Sequence, residues 1–313
     1  MSFAHVKQRL LAGRPLVVAA DSNASLRARG VALDVPGALG QLLREHPDEV
    51  REHYRVEVGC RADVLAALTG DTTPRALAEV GMEHRSAQLT ARAVELALDA
   101  AEASAKPVAV AGMLGSDMVS PVAATRLHEE LSEHASRLAA AGCEMLIARG
   151  QGSRLNLMAA VVAGARTDLP TWAVVERTGE AATGSDHELF QSLQSAGASV
   201  VLFEVSSVKL GLEELARTRE ALEEASLIAG ILLASSETAL PGFPDDADSA
   251  EQWADHALDL DVGGARVIGG GAGTTESHLR ALAQALGSLH PSMPAHRSDT
   301  VVDDVLKSNP HDP

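Results

Sequence analysis

Short apolar runs rich in β-branched residues alternate along the chain with longer stretches in which apolar residues recur at helical spacing. The short runs are almost continuously apolar, which is typical of parallel strands covered on both faces. Eight of them predict strands, at Pro15–Ala20, Ala62–Leu68, Pro107–Gly112, Glu144–Arg149, Thr171–Glu176, Ser199–Glu204, Leu227–Ala234 and Ala265–Gly269. The amphipathic stretches between them predict helices, among them Thr73–Ala105, Pro121–Ala141, Leu210–Ala225 and Ser249–Leu260.

Eight strand-then-helix units over about 280 residues suit one (β/α)8 barrel, the α/β TIM-barrel fold, of ordinary size. A doubly wound open sheet built from the same units is the alternative. We predict a single barrel domain over residues 1–288 and a partly disordered tail over residues 289–313, which is rich in Pro, Asp, Ser and His. The segments Asp21–Cys60 and Thr238–Asp248 are additions to this plan.

Composition narrows the range of functions. Acidic residues number 43 against 26 basic ones, a formal net charge of -17, and aromatic residues make up only 2% of the 313 residues. Such a surface repels phosphate backbones and anionic lipid, so we expect neither nucleic-acid nor membrane binding. The sequence has no signal-peptide pattern and only two cysteines, which predicts a cytoplasmic protein without a disulfide framework. The expected partner is a small molecule, and a homo-oligomer is left open.

The carboxyl ends of barrel strands are where functional side chains collect. Asp21 follows the first predicted strand, and Glu176 and Glu204 end the fifth and sixth. Carboxylates in such a cup act as general acids and bases, hold an ammonium group or ligate a hard cation. We therefore predict Glu204, Glu176 and Asp21 as catalytic residues, although Asp21 could equally cap the segment that follows it. Glu237, after the seventh strand, is equally consistent with a solvated acid.

Two further features at these strand ends predict ligand binding. Arg149 ends the fourth strand, and an arginine in a cleft binds carboxylate or phosphate in a bidentate manner. The alternative is an ion pair between Arg149 and a neighbouring acid that only fills the site. Gly270, Gly271 and Thr274 belong to a glycine-rich loop that could bind an anion through backbone N–H groups, or could be a tight turn retained with the fold.

Several motifs occur in an order typical of one known family. Residues 269–275 read Gly-Gly-Gly-Ala-Gly-Thr-Thr, residues 111–115 read Ala-Gly-Met-Leu-Gly, and residues 26–30 read Leu-Arg-Ala-Arg-Gly. Together with residues 142–149 they resemble elements of the homocysteine S-methyltransferase family, which includes betaine- and S-methylmethionine-dependent enzymes. The resemblance runs in order from about Pro15 to Ser288, and it implies the barrel.

The chain departs from this family at the metal site. The resemblance implies a zinc ion that is held by three cysteine thiolates. Two of them are adjacent cysteines in the last glycine-rich loop, where this chain has Gly271 and Ala272, and the third position falls beside Glu204. Glycine and alanine side chains have no donor atom. We expect Cys60 and Cys143 near the starts of strands two and four, as buried apolar residues. The sequence therefore predicts no zinc site and no other cofactor.

These observations lead to three functional hypotheses. The preferred one is a re-purposed enzyme that acts on a small amino-acid-like metabolite, with Arg149 binding its carboxylate and Glu204 and Glu176 supplying acid–base chemistry. The second is a non-catalytic family member that binds a ligand or serves as a partner subunit. The third and weakest is S-methyl transfer without metal, in which Glu204 would act as the base that activates a thiol.

Overall fold

The computed structural model describes residues 2–19, 21–115, 123–177, 186–235 and 247–289. Its eight parallel strands pair in chain order, and the last pairs with the first, so that the sheet closes into a barrel. The strands are β1 (Leu16–Val18), β2 (Val64–Ala67), β3 (Ala109–Leu114), β4 (Met145–Arg149), β5 (Thr171–Glu176), β6 (Ala198–Val205), β7 (Ile228–Leu233) and β8 (Val267–Gly270). The predicted barrel is confirmed, and the open-sheet alternative is wrong because β1 and β8 are hydrogen-bonded to each other.

Helices surround this barrel. In the described residues they are α1 (Ser2–Leu11), α2 (Ser22–Ala28), α3 (Ala38–Glu45), α4 (Pro47–Gly59), α5 (Pro74–Ala78), α6 (Ser86–Glu102), α7 (Ala124–Ala141), α8 (Arg154–Ala165), α9 (Asp186–Ser195), α10 (Val208–Glu224), α11 (Ala247–Val262) and α12 (Glu276–Leu289). The predicted helical stretch Thr73–Ala105 is not one continuous helix. It is divided into α5 and α6, because Gly81 between them adopts a left-handed φ of 68° that a continuing helix does not allow.

The barrel interior is filled by side chains, as expected for a barrel of eight strands. The inward-facing residues include Leu16, Val18, Val64, Ala109, Met145, Ile147, Trp172, Val174, Val200, Leu202 and Val267. Helix α1, which the sequence pattern did not predict, closes the N-terminal end, because Phe3, Val6 and Leu10 pack against this interior cluster. The Glu144 side chain before β4 accepts hydrogen bonds from the backbone N–H groups of Ser2 and Phe3, at 2.9 and 3.3 Å.

A second apolar core lies between the sheet and the helices. The addition Asp21–Cys60 forms α2, α3 and α4, and these contribute to that helical layer. Cys60 follows α4 and precedes β2, and Cys143 lies two residues before β4. Both cysteines are buried in this outer core, as predicted.

Some sequence predictions fall on residues outside the described ranges. These are the tail beyond Leu289, most of the addition Thr238–Asp248, and Glu237. Among the helices that the structure describes, none is long and apolar enough to cross a membrane.

Candidate functional site

A cavity of about 240 Å³ opens at the carboxyl ends of the strands. Its floor is the top of the apolar barrel interior, formed by Val18, Ala66, Met113, Ile147, Leu202 and Leu232. Its polar wall consists of Asp21, Ser22, Asn23, Thr69, Asp71, Arg149 and Glu204. The volume is below the roughly 300–1,000 Å³ of sites for drug-sized ligands, so the cavity suits a small metabolite.

Arg149 and Glu204 meet inside this cavity. Arg149 shares the inward face of β4 with Met145 and Ile147, and Glu204 shares the inward face of β6 with Leu202. The Arg149 Nη1 atom donates a hydrogen bond of 2.8 Å to the Glu204 Oε2 atom, and each side chain is 19% exposed. The pair is therefore mostly withdrawn from solvent and still reachable from the cavity.

A glycine at the end of β3 allows Arg149 to take this place. Gly115 has a φ of 122°, and a Cβ atom added to it would lie 2.6 Å from the Arg149 carbonyl oxygen. Side chains other than glycine's are excluded there by both the backbone conformation and this close contact. The end of β3 can thus pack directly against the backbone of Arg149.

Asp21 lines the cavity, but its carboxylate is occupied by backbone groups. One oxygen accepts hydrogen bonds from the N–H groups of Asn23 and Ala24, and so caps α2. The other accepts from the N–H group of Gly273, at 3.1 Å. Thr274 is fully buried and adds a second link, because its hydroxyl donates to Gly271 O and accepts from Asp21 N–H. Asp21 and Thr274 join the first and last loops of the barrel.

The remaining predicted residues divide between the cavity and its surroundings. Gly270 and Gly271 line the rim. Glu176 stands beside Glu204 in the register of β5 and β6, yet it is not among the side chains that line the cavity. Its Oε2 atom instead lies 3.7 Å from the position that a Cβ atom on Gly152 would take. Glu204 is therefore the acid that reaches the cavity from this side of the barrel.

Four polar residues of the wall were not predicted, namely Ser22, Asn23, Thr69 and Asp71. Thr69 and Asp71 follow β2, at the same kind of strand end that pointed to Glu204. Thr69 is fully buried, and its hydroxyl accepts a hydrogen bond of 2.9 Å from the Met113 N–H group. Asp71 lies in a short 3-10 turn, one residue after Gly70. The rule that strand ends carry function would have found Thr69 and Asp71 had it been applied to β2 as strictly as to β6.

The rim beside β7 contains Gly271 and Ala272, the positions at which the family resemblance implies two zinc-binding cysteines. Backbone hydrogen bonds of 2.9 and 3.0 Å hold Gly271 and Ala272 against the end of β7, from Gly271 N–H to Leu233 O and from Ser235 N–H to Ala272 O. A Cβ atom on Gly271 would lie 2.9 Å from Ala234 N and 3.0 Å from Leu232 O, both backbone atoms. This close pairing leaves no room for any side chain at position 271.

The two cysteines lie away from the cavity, among the residues that pack the helices onto the sheet. Burial raises the pKa of the Cys143 thiol to about 12 and also raises the pKa of Cys60. The Cys60 Sγ atom lies 3.3 Å from the Glu276 carbonyl oxygen. Throughout the described ranges, no three His, Cys, Asp or Glu side chains cluster closely enough to hold a metal ion.

A second acid near the rim is turned away from the cavity. Glu276 begins α12 directly after the glycine-rich loop, and its side chain, 11% exposed, pairs with Arg29 and lies 3.4 Å from His53 Nδ1. Burial alone would raise the pKa of Glu276, but hydrogen bonds from His53 and the backbone, with the charge of Arg29, lower it to about 2. Glu276 is therefore ionised and anchors the start of α12.

The order of motifs and the closed barrel agree with a comparison against known families. A sequence model described as homocysteine S-methyltransferase matches residues 19–286. The chain belongs to this family. The matched region begins directly after β1 and includes strands β2 to β8, together with the polar wall of the cavity.

Solved structures show the same fold. The metallated form of the homocysteine methyltransferase MmuM from Escherichia coli is 19% identical, with a TM-score of 0.71, over 86% of this chain and 96% of that one. The oxidized form of the same protein is 20% identical, with a TM-score of 0.72, over 87% and 96% of the two chains. At this identity the likeness carries the fold to this family member, while its site must be read from its own residues.

Proposed function

We propose that this member of the homocysteine S-methyltransferase family binds a small amino-acid-like metabolite in the cavity without a zinc–thiolate centre. The observation that carries the proposal is the Arg149–Glu204 pair inside the cavity, in which Arg149 Nη1 lies 2.8 Å from Glu204 Oε2. Arg149 would bind the carboxylate of the ligand, and Glu204 would bind its ammonium group or exchange a proton with it.

The pair favours a zwitterion over a ligand of one charge. A ligand that carries only a carboxylate would compete with Glu204 for Arg149 and leave Glu204 without its cation in a site of low polarity, which is costly. An amino acid brings both signs of charge, so that Arg149 and Glu204 each gain a partner. The apolar floor, which includes Ile147 and Leu202, would then receive an uncharged side chain.

The proposed loss of zinc rests on shape as well as on donor atoms. The two rim residues at the family's adjacent cysteine positions lack sulfur, and the backbone of β7 occupies the space that a side chain on Gly271 would need. The cysteines of the chain are buried in the outer core, with thiol pKa values raised by burial. These residues do not fit a zinc–thiolate centre, so acid–base chemistry would depend on Glu204.

Of the other two predicted acids, neither is as well placed as Glu204. Both carboxylate oxygens of Asp21 accept backbone hydrogen bonds, which supports a capping role. Glu176 stands next to Glu204 in register but outside the cavity lining, so we propose that it acts on the ligand only through its neighbour. Of the three predicted acids, a catalytic function would thus use Glu204 for acid–base chemistry, with Arg149 as the binding residue.

The direct test is ligand binding by wild type and by two cavity variants. We would measure affinities for a panel of amino acids, including homocysteine, methionine and S-methylmethionine, by calorimetry. Arg149→Gln is expected to weaken the best ligand at least about tenfold, because it removes the charge-assisted bond to the carboxylate. Arg154→Gln, at an exposed arginine that begins α8 outside the cavity lining, is the matched control and should leave the affinity unchanged.

The same experiment separates catalysis from binding. Mass spectrometry of the ligand after incubation with methyl donors would detect turnover, and Glu204→Gln should abolish it while retaining part of the binding. Wild-type affinity in both Arg149→Gln and Glu204→Gln, or equal losses in Arg149→Gln and Arg154→Gln, would overturn the proposed site. Binding without turnover by wild type would support the non-catalytic alternative instead.

A further inference from the structure

A second and larger groove lies at the opposite, N-terminal end of the barrel. Its volume is about 750 Å³, and it runs between α1 and the ends of α4, α6 and α12. Asp63 is the one acid among its lining residues, and the basic ones are His5, Arg9, Arg14, Arg55, Arg61 and Lys106. This concentration of cations is opposite in sign to the formal charge of -17 of the whole chain.

Asp63 fixes two of the cations without neutralising the groove. Its side chain is 1% exposed, and one oxygen is bound by Arg9 Nη1 at 2.5 Å and by Lys106 Nζ at 3.0 Å. The other oxygen accepts a hydrogen bond of 2.9 Å from the Val17 N–H group. One carboxylate therefore orders two cationic side chains, and a net positive charge remains in place.

Arg14 and Arg61 add charge that the described residues do not compensate. Both are exposed, and no ion pair or hydrogen bond to either guanidinium occurs in the parts of the chain that the structure describes. The backbone near them is nevertheless anchored, because Lys106 Nζ donates to Arg61 O and Arg14 N–H donates to Arg9 O. Burial lowers the pKa of Lys106, and the neighbouring charges of Arg9 and Arg61 lower it further while Asp63 opposes them.

The groove also has an apolar floor, to which Val17, Val58, Ala100, Ala103 and Leu286 contribute. Such a floor with cations around it fits a molecule that has an uncharged body and a compact anionic group. Guanidinium groups bind phosphate through paired N–H donors, and several cations favour a dianion over a single carboxylate.

We propose that the N-terminal groove is a binding site for a phosphate-bearing small molecule. Arg14, Arg61 and Lys106 bind the phosphate group, and the body of the molecule lies on the apolar floor. Because α1 and the filled barrel interior separate the groove from the cavity, its occupant does not enter the Arg149–Glu204 site.

The test uses the full chain with adenosine monophosphate, adenosine and inorganic phosphate as probes, titrated by calorimetry at an ionic strength of about 0.15 M. Adenosine monophosphate should bind saturably and more tightly than inorganic phosphate, and adenosine should not bind. The double variant Arg14→Gln/Arg61→Gln should weaken the binding of adenosine monophosphate at least about tenfold. The control Arg154→Gln/Lys209→Gln removes the same charge from exposed residues at the starts of α8 and α10, and should bind as wild type does.

Several results would overturn the proposal. One is the absence of saturable nucleotide binding by wild type, and another is equally weakened nucleotide binding in both double variants. A third is tighter binding of an acidic peptide such as hexaglutamate than of the nucleotide. The last result would assign the groove to an acidic protein partner. Circular dichroism and melting temperature would show that both variants fold, which the exposure of all four side chains leads us to expect.

Discussion

The two ends of the barrel each hold an ion pair, and the pairs differ in what surrounds them. At the N-terminal end Asp63 is 1% exposed, and both its oxygens are bound by protein groups. At the C-terminal end Arg149 and Glu204 are each 19% exposed and face a cavity. The first pair has no contact left to offer a ligand through its acid, whereas the second can exchange its partners for those of a zwitterion. Burial and saturation of the acid distinguish a structural pair from a binding pair.

The largest expected effect tests the structural side of this comparison. Asp63→Asn should lower the free energy of unfolding by about 3 kcal/mol, because it removes the buried carboxylate that accepts charge-assisted hydrogen bonds from Arg9 and Lys106, whose side chains are 28% and 34% exposed. Chemical denaturation measures the change. Asp48→Asn is the control, because Asp48 pairs with Arg51 on the surface with its side chain 88% exposed, and its loss should cost less than about 1 kcal/mol. Similar losses of stability in the two variants would show that burial of the acid does not make the Asp63 pair structural.

Glu276 extends the comparison to a rim acid that is turned away from the cavity. Its folded-state pKa of about 2 lies below the ordinary value of 4.5, so its contribution to stability is full above pH 4.5 and is lost as the pH falls toward 2. Glu276→Gln should therefore cost about 2–3 kcal/mol at pH 7, and the difference from wild type should shrink through this range. Urea unfolding from pH 7 to pH 3 measures it. A difference that is constant with pH would show that Arg29 and His53 do not stabilise the charge.

Position 271 sharpens the account of the rim. Gly271→Cys should lower the free energy of unfolding by about 2 kcal/mol, because the new Cβ atom meets the backbone of β7. Ala272→Cys, one residue on, adds only a sulfur atom to an existing side chain and is the matched control. Thermal denaturation compares the two. A Gly271→Cys protein as stable as Ala272→Cys would mean that the rim still has room for the cysteine that binds zinc in the family.

The smallest stability effect is expected at the binding pair. Glu204→Gln should change the free energy of unfolding by less than about 1 kcal/mol, because the amide remains a hydrogen-bond acceptor for Arg149 and the pair is partly solvated. Its effect on ligand affinity should exceed its effect on stability, which calorimetry and denaturation measure side by side. A loss of stability close to that of Asp63→Asn would make Arg149–Glu204 a structural pair as well.

The sequence was sufficient for the barrel and for the strand ends. All eight predicted strands overlap the observed ones, since strands buried on both faces must be continuously apolar. Arg149 and Glu204 could be placed because both end such strands. Helix α1 was missed because Val6 is its one buried residue, under the barrel, and its anchor, Glu144, is distant in sequence.

The roles of the other rim residues depend on contacts that no local pattern reveals. From the sequence, Asp21 could be either a catalytic residue or a helix cap. The structure favours the cap, because the N–H group of Gly273, 252 residues away, donates to its second carboxylate oxygen. Glu176 and Glu204 end adjacent strands in register, and only packing shows that the cavity reaches one of them. The absence of space at Gly271 likewise depends on how closely β7 approaches.

We propose that this family member binds its ligand without a zinc–thiolate centre, and the zinc content of the purified protein can be measured. The full chain would be incubated with excess zinc, freed of unbound metal by gel filtration and analysed by plasma mass spectrometry. We expect zinc well below about 0.1 per chain, because the cavity rim offers no thiolate. Retention of about one zinc per chain, lost on substitution of residues in the cavity wall, would contradict it.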